Sequence, residues 1–214
     1  MPAPYRTVLL DLYDTVGWAD WPGWQDTLAR ELEVDLARVG RAYDLTRPAR
    51  SEGVYPDALT DLAVVIDAIG VEIPPTRLAE LSAIERAMLV DGFRLYEDSL
   101  PVVRELRGRG IPTALVSNCS HDTRDAVDRT GLEAEFDAVI LSFEVRARKP
   151  KPAIYRTALS RLGATTEGAV FVDDQPDYCD GAAALGIETF LIARDGDGPS
   201  TNGHRAISDL TALL

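Results

Sequence analysis

The chain has little cysteine, little histidine and a deficit of basic charge, and it lacks any long apolar run. Cys119 and Cys179 are the two thiols among 214 residues, which excludes a disulfide framework or a cysteine-ligated zinc site. Both read as reduced, incidental thiols. His121 and His204 are too few and too far apart for a metal cluster, and neither is assigned a role. Lysine and arginine number 22 against 35 aspartates and glutamates, a net charge of -13. That balance excludes nucleic acid and anionic membrane as partners, because both need a basic face. A small phosphorylated substrate stays compatible, since one cation and a metal ion reverse the field inside a pocket. No apolar run approaches the roughly 20 residues that span a bilayer. Met1-Pro2-Ala3-Pro4 leads straight into the first apolar run, without the basic, apolar and cleavage segments of a leader. A cytoplasmic protein with a small-molecule partner is the expectation. The pattern is silent on oligomeric state.

What is present is an α/β pattern interrupted once. Val8 to Leu10 form a short apolar run with a β-branched start, which reads as a strand buried on both faces. From Asp98 onward the pattern alternates. Asp98 or Ser99 caps a helix that stops at Gly108-Arg109-Gly110. Strand Thr113 to Val116 follows, then a helix starting near Asp122 and strand Ala138 to Leu141. A helix from about Pro152 to Leu162 leads to strand Ala169 to Val172, a helix through Ala182 to Leu185, and strand Thr189 to Ile192. The Gly- and Asp-rich stretch Asp195 to Asn202 reads as a surface loop, and a short helix ends the chain. Such alternation predicts a Rossmann-like parallel sheet covered on both faces.

Between the first strand and Asp98 no strand-like alternation appears. Leu28, Leu32 and Leu36, then Leu59 to Ile69, then Leu78 to Met88 keep helical spacing, which predicts about four helices. The expected organisation is a core of residues 1–16 and 92–214 with a small helical domain of residues 17–91 inserted into it. Trp18, Trp21 and Trp24 lie three apart around Pro22-Gly23, which reads as a turn; they pack, or they wall a substrate. Arg41, Arg47 and Arg50 form a solvated or salt-bridged face, or one of them reaches a substrate anion.

Ligands of an open parallel sheet bind beyond the carboxyl ends of its strands. There the first strand offers Asp11 and Asp14, the second Ser117 and Asn118, and the fourth Asp173 and Asp174. Lys149 and Lys151 stand ahead of the helix between the third and fourth strands. Each group alone suits ordinary turn chemistry. All four at one topological position suit phosphoryl transfer through an aspartyl-phosphate, with a carboxylate nucleophile, a lysine and a divalent ion that cancel charge. Oxygen-only ligands favour Mg²⁺.

Asp11-Leu12-Tyr13-Asp14-Thr15 resembles the first motif of the haloacid dehalogenase-like hydrolase superfamily, and the resemblance covers nearly the whole chain. In the family's phosphatases the acid/base aspartate lies two places after the nucleophile, where this chain has Tyr13; Asp14 follows one place later. Asp11-x-Tyr13 and Val116-Ser117-Asn118-Cys119-Ser120 are similar to the metal-free 2-haloacid dehalogenases. Phe171-Val172-Asp173-Asp174-Gln175-Pro176 instead resembles the metal-binding motif of the phosphatases, and the aspartate that the dehalogenases carry a few residues later falls on Tyr178. The resemblance implies Asp11 as nucleophile, and Tyr13 or Asp14 as acid/base. It implies metal ligation by Asp11, the Tyr13 carbonyl and Asp174, with Asp173 beside it. Ser117 and Asn118 would hold a phosphate oxygen, and Lys149, with Lys151 as competitor, would neutralise Asp11 and substrate. The implied activity is an Mg²⁺-dependent phosphatase for a small metabolite. A dehalogenase using an ester on Asp11, or a binding protein without turnover, are the alternatives.

Overall fold

A computed structural model describes residues 5–194 and 202–214. Of the loop expected over Asp195 to Asn202, all but Asn202 lies outside the described residues. The first strand, β1 (Thr7–Leu10), is buried along its length. Val8 and Leu10 face one apolar cluster and Leu9 the other, as the two-residue period of a strand between two helical layers requires.

The chain then leaves the sheet. β2 (Gly17–Trp18) pairs antiparallel with β3 (Arg94–Leu95) at the neck of the excursion. Between them run α1 (Trp21–Glu31), α2 (Leu36–Ser51), α3 (Ala58–Ile69) and α4 (Pro75–Glu85), the last continuing into a π-helical segment, Arg86–Asp91. Trp24, Leu28, Val39, Tyr43, Leu62, Ile66 and Leu81 form the apolar centre of these helices. Pro22-Gly23 is the first turn of α1 and not a turn between segments, because proline needs no N–H donor there and the Gly23 N–H donates to Asp20 Oδ1 at 3.0 Å. The three indoles therefore separate. Trp18 is exposed, Trp21 lines a cavity, and Trp24 is buried with its Nε1–H donating to the Tyr43 hydroxyl.

The alternating half follows with α5 (Ser99–Gly108), β4 (Thr113–Ser117), α6 (Asp122–Thr130), α7 (Leu132–Glu135), β5 (Ala138–Leu141) and α8 (Ser142–Val145). It continues with α9 (Pro152–Arg161), β6 (Ala169–Asp173), α10 (Pro176–Ala183), β7 (Glu188–Ile192), β8 (Arg205–Ile207) and a closing 3-10 turn, Leu210–Leu213. Ser117 and Asp173 are thus the last residues of their strands. The helix expected at Ala182 to Leu185 begins at Pro176, again with proline in the first turn. β8, α7 and α8 are too short to leave a periodic signal.

The six strands are parallel in the order β5-β4-β1-β6-β7-β8. The chain builds outward from β1 on one side and then returns to build on the other. This doubly wound order opens a crevice at the carboxyl ends of β1 and β6, where the order reverses. Among the described residues no helix is long and apolar enough to cross a membrane.

The loop before α9 reaches this crevice because α10 lets it approach. A Cβ placed on Gly181 would meet the Pro150 carbonyl oxygen at 2.6 Å, and backbone on both sides leaves little room to yield. Gly181→Ala should therefore cost about 1–3 kcal/mol in urea unfolding, whereas the same change at Gly108, where no atom lies within 4 Å, should cost nothing measurable beyond its helix-propensity effect.

Candidate active site

Asp11 is the first residue beyond β1. Its N–H donates to the Val172 carbonyl of β6 at 2.9 Å, which extends the ladder by one residue and fixes the side chain at the sheet edge. Lys149 approaches from the loop before α9 and is fully buried. Its Nζ donates to Asp11 Oδ1, and to Asp173 Oδ2 at 2.6 Å. The rings of Phe171 and Tyr178 flank the ammonium, with centroids 5.5 and 5.0 Å from Nζ, so aromatic faces complete its surroundings. Tyr178 is held in turn by the Tyr155 hydroxyl, which donates to its carbonyl at 2.7 Å. Lys151, the competitor, points away and pairs with Glu52 on the surface.

Asn118 fixes the same loop. Its Oδ1 accepts the Lys149 N–H at 2.7 Å and its Nδ2 donates to the Lys149 carbonyl at 2.9 Å. Both ends of the amide are engaged, so the side chain positions the lysine. Ser117 closes β4 with a fully buried side chain, and its Oγ has no hydrogen-bond partner among the described residues.

Asp173 and Asp174 differ in what they face. Asp173 is wholly buried; besides Lys149 it accepts the Gln175 N–H at Oδ1, 2.8 Å away. Asp174 is partly exposed to the cavity and takes the Gln175 side-chain amide. Carboxylate oxygens of Asp11, Asp173 and Asp174 all lie within 4.8 Å of one another. Three carboxylates around one ammonium leave an excess of two negative charges in a buried place. Burial is the main cause that raises all three carboxyls above the usual range. Lys149 opposes the rise, and Asp174 adds to it at Asp11. For Lys149 burial alone acts downward, but Asp11 and Asp173 outweigh it and keep the amine charged.

The donor set fits a hard divalent cation: oxygen ligands only, and an excess charge of matching size. The turn after β1 suits it too. Its backbone bonds, Val16 and Gly17 N–H to the Leu12 carbonyl and Asp14 N–H to the Gly17 carbonyl, bypass the Tyr13 carbonyl.

Tyr13 and Asp14 both line a cavity of about 360 Å³ that opens on Asp11. The Tyr13 ring stands edge-on to Phe93, and its hydroxyl bonds Thr123 Oγ1 at 3.0 Å. Burial holds the phenol well above its ordinary range, with the Thr123 bond only partly offsetting it, so it is no base for water near neutral pH. Asp14 has φ +56°, a left-handed backbone uncommon outside glycine, and its charge is felt by Asp174. The helical segment and α6 add Trp21, Arg47, Arg50, Glu85, Leu89 and Asp122 to the lining. Arg41 is exposed and does not line the cavity. Glu85 and Asp122 escaped the sequence reading, since an acid on a helix face or at a helix start looks like ordinary solvation or dipole complement.

A family model described as haloacid dehalogenase-like hydrolase matches residues 5–186. The chain is similar to a phosphatase of Mycobacterium tuberculosis (strain CDC 1551 / Oshkosh), 31% identical over 122 residues, 56% of this chain and 55% of the relative. It is also similar to haloacetate dehalogenase H-2 of Moraxella sp. (strain B), 37% identical over 95 residues, 44% of this chain and 42% of the relative. The chain spans about half the length of these curated relatives. Its fold matches the crystal structure of a HAD phosphatase from Thermococcus onnurineus with a TM-score of 0.69 at 24% identity, covering 97% of this chain and 95% of that one.

The raised carboxyls give a pH signature. In metal-free protein the folded state binds protons more tightly than the unfolded state, so stability should fall as pH rises from the ordinary carboxylate range toward neutrality. A divalent ion bound among these carboxylates would replace those protons. Thermal melts should therefore show Mg²⁺ stabilising strongly at pH 7.5, by about 2.7 kcal/mol at a hundredfold excess over its Kd, and weakly at pH 5. Equal stabilisation at both values would contradict a carboxylate site.

Proposed function

The chain belongs to the haloacid dehalogenase-like hydrolase family, and on that premise we propose that it is an Mg²⁺-dependent phosphatase of small phosphomonoesters. The observation that carries this reading is the charge count around Asp11: three carboxylates with oxygens within 4.8 Å of one another and a single lysine. A metal-free site for a 2-haloacid must admit a substrate carboxylate. Two uncompensated negative charges beside the nucleophile oppose that, whereas a metal ion brought with a phosphate ester neutralises them.

Asp11 and Asp174, with the Tyr13 carbonyl, are the groups that would hold the ion. Bound there, it supplies positive charge to the phosphoryl oxygens. Lys149 adds a second positive charge, aimed by Asp173 and Asn118. Asp11 attacks phosphorus: its oxygen forms a bond to phosphorus as the ester oxygen leaves with the bonding electrons. The leaving oxygen takes a proton from Asp14, which lines the cavity together with Tyr13. In the second half Asp14 takes a proton from water, which attacks phosphorus and frees Asp11 with release of phosphate. Ser117, the buried hydroxyl at the end of β4 with no partner of its own, would donate to a phosphoryl oxygen. Residues 17–91 act as a cap that closes the cavity over the core of residues 1–16 and 92–214. The location proposed for this chemistry is the cytoplasm.

Phosphate release from a panel of phosphomonoesters should require Mg²⁺ and stop with chelator. Chelator-resistant halide release from 2-haloacids would establish the dehalogenase instead, and silence on both panels would establish a binding protein. Asp11→Asn should abolish turnover under either chemistry. Asp14→Asn should lower it about a hundredfold or more, while Tyr13→Phe should leave it within about an order of magnitude; the reverse ranking would move the proton transfer to Tyr13.

A further inference from the structure

The turn of residues 12–17 follows Asp11 and carries both the Tyr13 carbonyl and Asp14. Asp14 lines the cavity with left-handed backbone, φ +56°. Such a conformation is disfavoured for a residue with a side chain and persists only where the surroundings impose it. The turn's own bonds close its two ends: the Leu12 carbonyl accepts the Val16 and Gly17 N–H groups, and the Gly17 carbonyl accepts the Asp14 N–H. Thr15, the residue after the left-handed one, is fully buried, and its hydroxyl has no hydrogen-bond partner among the described residues. Its carbonyl is held from outside the turn.

The holder is Arg194, two residues past β7. Its Nε donates to the Thr15 carbonyl at 3.1 Å, and its Nη2 donates to the same oxygen. Its Nη1 donates to both oxygens of Asp98, at 2.8 and 2.9 Å. The guanidinium lies over the Tyr96 ring, 4.1 Å from its centroid, and the side chain is 8% exposed. Asp98 stands before α5 but makes no capping bond to that helix; its Oδ2 accepts the Leu210 N–H at 2.6 Å instead. Beside this clamp the Val16 carbonyl accepts the Tyr96 N–H at 3.1 Å and the Ser99 hydroxyl at 2.7 Å. Arg194 thus joins the turn to the end of β7 and to the segment between β3 and α5. An ion pair with Asp98 occupies one nitrogen; the other two are spent on the turn, and the planar fork fixes the angle between the two acceptors.

We propose that Arg194 is a positioning residue of the site: its grip on the Thr15 carbonyl holds the turn so that Asp14 meets the reacting ester oxygen. This rests on the phosphatase reading for the role of Asp14. Arg194 does not line the cavity and acts only through the backbone of the turn.

The test uses Arg194→Gln and Arg194→Lys. An alkyl phosphate, whose leaving oxygen needs a proton, is compared with p-nitrophenyl phosphate, whose leaving oxygen does not. In Arg194→Gln, kcat/KM should fall about tenfold or more for the alkyl ester and less than about threefold for the nitrophenyl ester. In an Asp14→Asn background the same substitution should cost less than about threefold on the alkyl ester, because residues that act through one another are not additive. Arg194→Lys keeps an ion pair with Asp98 without the fork, so it should recover the melting temperature and not the alkyl ester. Equal loss on both esters, an undiminished loss in the Asp14→Asn background, or recovery of the alkyl ester by lysine overturns the proposal. Deuterium uptake over residues 12–17 gives a readout without turnover. It should rise in Arg194→Gln while β4 and β5 keep theirs, and unchanged uptake in the turn overturns the proposal too. If the unaltered protein hydrolyses no ester, the phosphatase reading fails, and the exchange result alone decides whether Arg194 holds the turn.

Discussion

One buried ammonium between two buried carboxylates holds the site together. Lys149 bridges Asp11 at the end of β1 and Asp173 at the end of β6, and no member of the trio is more than 5% exposed. A buried pair of this kind adds little net stability against an apolar replacement, but losing one partner leaves an unmatched charge that costs several kcal/mol. The trio therefore acts as a geometric lock more than as a source of stability. It ties two neighbouring strands to a loop that the chain reaches only after building the other half of the sheet. The loop is held in three further ways: Asn118 bonds its backbone, Gly181 lets α10 press on Pro150, and two aromatic rings flank the ammonium.

The same lock leaves a charge excess, and that excess is what the proposed chemistry rests on. Asp174 adds a third carboxylate beside a pair already neutralised in part by one lysine. Low dielectric surroundings make that imbalance expensive until a proton or a cation answers it. A protein this acidic stays compatible with the proposed phosphate ester, because a bound metal and the buried lysine would act at short range while the surface charge is screened over about 10 Å at ordinary salt.

The alternating half was legible because each of its signals is local. Apolar runs of four or five residues and prolines at the first turn of α9 and α10 mark elements whichever way they later pack. The place after β1 at which a carboxyl meets the cavity was less legible. Counting places from Asp11 assumes a regular strand, but β1 ends at Leu10 and Asp14 turns into left-handed backbone. That dihedral brings a carboxyl to the cavity one place later than strand periodicity would put it. Tyr13 reaches the same cavity but holds its hydroxyl against Thr123. The tryptophans misled for a similar reason: three-residue spacing puts side chains on one side only within one helix, and α1 starts at the second of them.

The sequence by itself determined the α/β class, the helical insertion after the first strand, and the residue types gathered at the strand ends. Burial of apolar runs and the chemistry of caps are properties of short segments, so a short segment suffices to reveal them. Only the tertiary structure decided that the strand order reverses at β1, which of the chain's two lysines is buried, and that Asp173 anchors while Asp174 faces the cavity. It alone brought Glu85 of the helical segment and Asp122 of α6 into the lining of one cavity. Helical periodicity tells which residues share a face and says nothing of what lies opposite. A charge acquires its meaning here from neighbours that are distant in the chain.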